Sequence, residues 1–248
     1  LTATISTTAS FGRGGSIVYG VIAGSGSATV DAGTGLITGV SVGTVTLTVN
    51  TTGDTSYNAA TTSQLITIGK STPVLTITSA NTLNVDGTLT ATVSTTATYG
   101  RGGIITYAII AGSGSATVDA NTGLIKALRT GTVTLTVTSA GDTNYYTSNA
   151  TQLITITAAT PTLVVNIPSV LKVDDALTAT VTTTATNGRG GAITYAIVAG
   201  SGSATVNPVT GYVVAVSVGA VTLVVSAAGD SDYAPVSIAQ AITIGQAT

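Results

Sequence analysis

Nine carboxylate and seven cationic side chains are the only charged ones in this 248-residue chain, and most of them fall on one spacing. Arg13, Arg101 and Arg189, each inside the string GRGG, lie 88 residues apart. Asp54, Asp142 and Asp230, each inside the string GD, keep the same period, as do Asp31 and Asp119, whose third counterpart is Asn207. Carboxylates on neighbouring loops can do two things. They can offer several oxygens to a hard cation, which makes Asp31, Asp54, Asp119, Asp142 and Asp230 candidate calcium ligands bridging modules. Alternatively each can pair with the Arg of its own copy, Arg13 with Asp54, Arg101 with Asp142 and Arg189 with Asp230, and so order the loops. The repeated Arg repels a cation and Asn207 brings no charge, so the loop-pair reading is preferred and no cofactor is expected.

Other chemistry has little to work with. Cys, His, Met, Trp and Glu are absent, which removes thiolate and imidazole catalysis, zinc sites and disulfides. An enzyme is not expected. Gln64, Gln152 and Gln240 recur on the period but have no His to assist an ester crosslink, and Lys70, Lys126 and Lys172 occupy three different repeat positions, which excludes a crosslink common to all copies. Tyr57, Tyr145 and Tyr233 follow the GD turns and are expected to bury their rings and bond their hydroxyls locally. Rows such as Thr132, Thr134, Thr136 and Thr138 lie on one strand face. The third copy has Ala220, Val224 and Ser226 at three of those positions, which breaks any lattice-matching surface for ice or saccharide.

The elements that must position these residues are short strands. In the second copy, Pro73 to Ser79 alternates Leu75 and Ile77 against Val74, Thr76 and Thr78. Strands at Leu89–Val93, Ile104–Ile110, Ala116–Val118, Leu124–Ala127, Thr132–Val137 and Gln152–Ile156 follow, separated by Asp86-Gly87, the GRGG loop, Asn121-Thr122-Gly123 and Gly141-Asp142. Seven strands with Gly-rich turns every eight to twelve residues predict an antiparallel sandwich. A fixed period of this size marks tandem modules. The chain is read as an all-β array of immunoglobulin-like sandwiches with an exact 88-residue repeat: modules at 1–69, 70–157 and 158–245, with 246–248 starting the next linker. Leu1 aligns with Leu89 and Leu177, so the first module is expected to lack its first strand. The chain is read as a window on a longer polypeptide, or as a subunit completed by a strand from elsewhere.

The runs GSGSATVDANTGLIKALRTGTVTLTV and AGDTNYYTSNATQLITI, with their counterparts in the other copies, resemble bacterial immunoglobulin-like (Big) domains. That resemblance implies surface adhesins, invasin-like stalks and other multi-module extracellular proteins. Composition agrees. Only 6% of residues are charged and the net charge is −2, which offers no basic patch to nucleic acid, and no apolar run is long enough for membrane insertion. The expected function is a structural stalk or adhesin segment that gives length and stiffness at a microbial cell surface. Each module would contribute ~35–40 Å, from strands of about seven residues at ~3.3 Å each plus loops. The alternatives are an extracellular filament subunit assembled by strand complementation, and a carbohydrate- or ice-binding module. Expected partners are copies of itself or further modules of the same chain, with surface glycans and host or neighbour cell proteins as further candidates.

Overall fold

The computed structural model describes residues 1–10 and 12–247, and all regular structure among them is strand. Copy one carries β1 (Ile17–Ala23), β2 (Ser27–Val30), β3 (Ile37–Ser41), β4 (Gly43–Thr51) and β5 (Ala60–Ile68). Copy two carries β6 (Leu75–Ile77), β7 (Thr82–Asn84), β8 (Thr88–Thr90), β9 (Val93–Thr95), β10 (Ile105–Ala111), β11 (Ser115–Val118), β12 (Leu124–Arg129), β13 (Gly131–Ser139) and β14 (Ser148–Thr157). Copy three carries β15 (Leu163–Asn166), β16 (Val170–Lys172), β17 (Ala176–Thr178), β18 (Thr180–Thr183), β19 (Ile193–Ala199), β20 (Ser203–Val206), β21 (Tyr212–Ser217), β22 (Gly219–Ala227) and β23 (Val236–Gly245). The chain divides into two compact units: Leu1–Thr76 with Ser94–Thr106 and Thr138–Ala150, and Ile77–Val93 with Tyr107–Val137 and Thr151–Thr248. The first unit therefore contains the boundary between copies one and two, and the second contains the boundary between copies two and three.

Copy three shows why these residues make a sandwich. β22 alternates, so Val221, Leu223, Val225 and Ala227 all point one way and are buried, while Thr222 and Val224 point the other way. Val213 and Ala215 of β21 and Ile242 and Ile244 of β23 meet them, and Leu163, Leu171 and Ala179 close the core. Each large apolar side chain so buried contributes about 1.5–3 kcal/mol. The sheets run β16-β23-β22-β19 and β17-β21-β20, with β15 paired to β18. Copy two repeats these orders as β10-β13-β14-β7, β11-β12-β8 and β6-β9.

One expected strand is prolonged across both sheets and another is broken. The leading strand of copy three pairs antiparallel with β18 as β15, then crosses over and runs parallel to β23 as β16. Pro168, which has no N–H to give a ladder, sits between the two halves. The strand expected at Leu89–Val93 divides at Ala91, and its counterpart at Ala179. Both Ala side chains are buried, and their amides donate to Gly123 and Gly211 carbonyls at 2.9 Å. Each complete copy thus has nine strand segments and one parallel pairing where seven antiparallel strands were expected. In copy one the sheets are β1-β4-β5 and β2-β3, and residues 1–10 contribute only a bridge from Thr2 to Leu36.

Candidate functional site

Arg101 with Asp142, and Arg189 with Asp230, lie where one copy follows another. The loop GRGG in copy two needs left-handed backbone at Gly100, Gly102 and Gly103, with φ of 66°, 102° and 79°. This turns the amide of Gly102 onto Asp142 Oδ2 at 2.8 Å; Gly14 does the same to Asp54 and Gly190 to Asp230, both at 2.7 Å. The other oxygen of each carboxylate accepts the amides two and three residues on: Asn144 and Tyr145, Ser56 and Tyr57, Asp232 and Tyr233. Each of these Asp residues is therefore a staple between two loops of its own copy. The link is made by the glycine after the Arg.

The guanidinium groups of Arg101 and Arg189 reach the preceding copy. Arg189 Nη1 donates to the Leu128 carbonyl of the preceding copy at 2.7 Å and to Asp232 Oδ2 at 3.0 Å, and its Nη2 lies 3.6 Å from Asp86 Oδ1. Arg101 donates in the same way to the carbonyl of Val40, the residue 88 before Leu128. The reverse contact is also repeated. Val42 N donates to Asn144 Oδ1 at 2.8 Å, and Thr130 N to Asp232 Oδ1 at 2.9 Å. The short connectors are pinned as well, since Ser71 bridges in parallel to Tyr145 and Ala159 to Tyr233. The boundary between copies two and three is the more charged of the two. Asp232 stands where copy two has Asn144, Arg129 lies 3.7 Å from it, and Asp86 accepts from Thr186 Oγ1 and the Tyr233 hydroxyl.

Asp31 and Asp119 cap their own turns. Asp31 Oδ1 accepts from Gly33 N and Thr34 N, and Asp119 Oδ1 from Asn121 N and Thr122 N. Asn207 Oδ1 takes the same two positions, Val209 N and Thr210 N, at 3.0 Å, so the turn needs an oxygen and no charge. Among the described residues no three acidic side chains form a group that could hold a metal ion. The Tyr hydroxyls tie the same loops together: Tyr145 to Thr98 and Tyr233 to Thr186, with Tyr57 reaching Ser10 N at 3.4 Å. Sequence reasoning missed Asp86, Asn144, Asp232 and Arg129. One signal was available: the position two after each GD Asp is Ser56, Asn144 or Asp232, an oxygen-bearing side chain every time.

Two consequences can be measured. A Cβ on Gly191 would land on the Gly229 carbonyl oxygen, in backbone at φ 78° that L-residues rarely adopt. Gly191→Ala is therefore expected to cost about 2 kcal/mol or more in urea unfolding of copy three. The second consequence concerns pH. Asp54, Asp142 and Asp230 are held below the ordinary carboxylate range, chiefly by the Gly14, Gly102 and Gly190 amides. Asp86 is lowered first by the Tyr233 hydroxyl; burial pushes Asp232 upward, but the Thr130 amide and Arg189 outweigh it. Folded values below unfolded ones mean stability that is complete above the unfolded Asp pKa of about 3.9 and is lost as pH falls through the folded values. No His titrates in between, so the melting temperature should be flat from about pH 5 to 8 and should fall steadily below about pH 4.

Paired sheets packed over an apolar core, with loops that hydrogen-bond from one copy to the next, define tandem immunoglobulin-like modules. Residues 71–148 match the family model of the bacterial Ig-like domain (group 2), so the resemblance drawn from the sequence holds for the second copy. No curated protein matches the chain. Among solved structures, the fibronectin(III)-like modules of Clostridium thermocellum CbhA are 16% identical with a TM-score of 0.28, covering 70% of this chain and 95% of theirs. Sidekick-1 immunoglobulin domains 1–5 are 16% identical with a TM-score of 0.31 over 94% of this chain, which spans about half (52%) of theirs. Three N-terminal domains of the bacteriophage RB49 outer capsid protein Hoc are 12% identical with a TM-score of 0.28, covering 97% of this chain and 92% of theirs.

Proposed function

We propose that this chain is a structural segment of an extracellular stalk or adhesin at a microbial surface, built from modules at 1–69, 70–157 and 158–245. The observation that carries this reading is the repeated boundary. In two successive places the GRGG Arg grips a carbonyl of the preceding copy, and the residue two after the GD Asp accepts an amide of that copy. A connector of a few residues would by itself leave neighbouring modules free to swing. Reciprocal hydrogen bonds at a fixed period restrain that motion, which is what a spacer needs. The role calls for no cofactor and no catalytic group, and its partners are further copies of the same module. Residues 71–148 belong to a sequence class of bacterial Ig-like domains, which supports a bacterial source and a surface location.

Pulling single chains from their two ends tests the mechanical role. Each copy should unfold in its own force peak. Unfolding 88 residues should release at most about 300 Å of extended chain, less the folded length of the copy. A smooth extension without peaks would mean that the copies do not resist load, and the proposal would fail.

A further inference from the structure

The repeat supplies its own control for what a boundary between copies needs. Between copies one and two, Arg101 donates to the Val40 carbonyl while the flanking positions are Thr38, Ser41 and Tyr99, all uncharged. Eighty-eight residues on, those positions hold Lys126, Arg129 and Asn187. The bonds that join the copies are alike at both places: Arg189 to Leu128 and Thr130 to Asp232 repeat Arg101 to Val40 and Val42 to Asn144. Joining the copies therefore requires neither Lys126 nor Arg129.

These two cations line an open cleft of about 570 Å³ between β12 and the GRGG loop of copy three. Arg189 forms part of its wall, so three of the seven cations in the chain gather at one place. Arg189 is engaged by the Leu128 carbonyl, Asp232 and Thr186. Arg129 is exposed, and Asp232, 3.7 Å from it, already takes Thr130 and Arg189. The Lys126 ammonium has no hydrogen-bond acceptor among the described residues. It meets Asp86 only through space, as the least of the groups lowering that carboxyl, after the Tyr233 and Thr186 hydroxyls and Arg189. The charges of Lys126 and Arg129 are thus left to the cleft.

A hydroxyl is left to it as well. In copies one and three, Ser27 Oγ and Ser203 Oγ bond Ser41 Oγ and Ser217 Oγ at 2.7 Å. In copy two Arg129 stands in the place of the second Ser, so the Ser115 hydroxyl in the cleft wall has no such partner. Asn187 adds an amide donor and acceptor, and Leu128 an apolar edge.

We propose that this cleft binds an acidic saccharide, with the carboxylate of a uronic acid held by Lys126 and Arg129 and sugar hydroxyls on Ser115 and Asn187. A guanidinium takes a carboxylate through two parallel hydrogen bonds, and an ammonium takes it as a point charge. The hydroxyl-bonding wall then selects a sugar acid over a bare carboxylate. The cleft lies within the size range of small-ligand sites. This site is additional to the spacer role and does not depend on it.

The test titrates the whole isotope-labelled chain with digalacturonic acid, its neutral analogue galactobiose, and acetate, following amide shifts. Digalacturonic acid should shift the amides of Lys126, Arg129, Thr186 and Asn187, and added salt should weaken its binding because exposed charges are screened. Combining Lys126→Ala with Arg129→Ala should weaken binding at least about tenfold, since two charge-assisted hydrogen bonds are lost. Both side chains are exposed, so the amide spectrum away from the cleft should keep its pattern. Galactobiose and acetate should each bind at least about tenfold more weakly than digalacturonic acid, one lacking the charge and the other the hydroxyls. The proposal is overturned if tens of millimolar digalacturonic acid shift nothing in the cleft, or if the doubly substituted chain binds it as tightly. It is also overturned if either galactobiose or acetate binds as well as the sugar acid.

Discussion

Leu223→Ala is expected to destabilise copy three by about 3–5 kcal/mol, the upper part of the range for a buried Leu cut to Ala. Leu223 is fully buried at the centre of β22, in one core cluster with Val213, Val225 and Ile242. The same substitution at Leu47, its counterpart in copy one, should cost about half as much. Leu47 already borders an open cavity, so its removal strips fewer packing contacts and exposes a space that water can enter. In an array whose copies contact only their neighbours, each loss stays largely in its own copy. Amide exchange resolved along the chain can read the two losses separately. Equal losses at the two positions would show that copy one is as well closed as copy three.

The second large effect lies at the boundary between copies two and three. Asp232 is buried, and its carboxylate takes the Thr130 amide and hydroxyl and the Arg189 guanidinium. Asp232→Ala leaves the Thr130 amide unpartnered and removes a partner from a largely buried cation. Losing one member of a buried pair costs about 3–5 kcal/mol. Arg189 keeps Asp86 and the Leu128 carbonyl, so the expected loss is nearer to about 2–3 kcal/mol. Asp232→Asn is expected to lose only about 1 kcal/mol, because an amide oxygen can still accept from Thr130, as Asn144 accepts from Val42. Exchange at the Thr130 amide should accelerate in the Ala variant and change little in the Asn variant. If the two variants behave alike, the hydrogen bond to Thr130 does not hold the boundary.

The strands and turns could be read from the chain because their signals are local. Period-two alternation marks Thr132–Val137 and its counterparts, and glycine marks the left-handed positions of GRGG. The shared pole of Arg101 and Asp142 was also legible, since the period ties each GRGG to a GD turn. The use of the Arg was not. Its acceptors are main-chain carbonyls of Val40 and Leu128, 61 residues back, and a carbonyl carries no residue-type signature. The division of the leading strand was only half visible: Pro168 marks the crossing in copy three, but copy two has Ala80 there. Asp119 and Asn207 looked like a charge gained and lost, yet both serve as turn acceptors through one oxygen.

Arg189 and Asp232 hold the boundary between copies two and three through their contacts with Leu128 and Thr130. The chain has no native Cys, so Thr117→Cys and Thr205→Cys, both at exposed strand positions, would carry the only two spin labels. Pulsed electron double resonance between them reports how far copies two and three move against each other. A single narrow distance distribution is expected, broadening when Arg189→Ala and Asp232→Ala are combined. A distribution already as broad without those two substitutions would contradict the account.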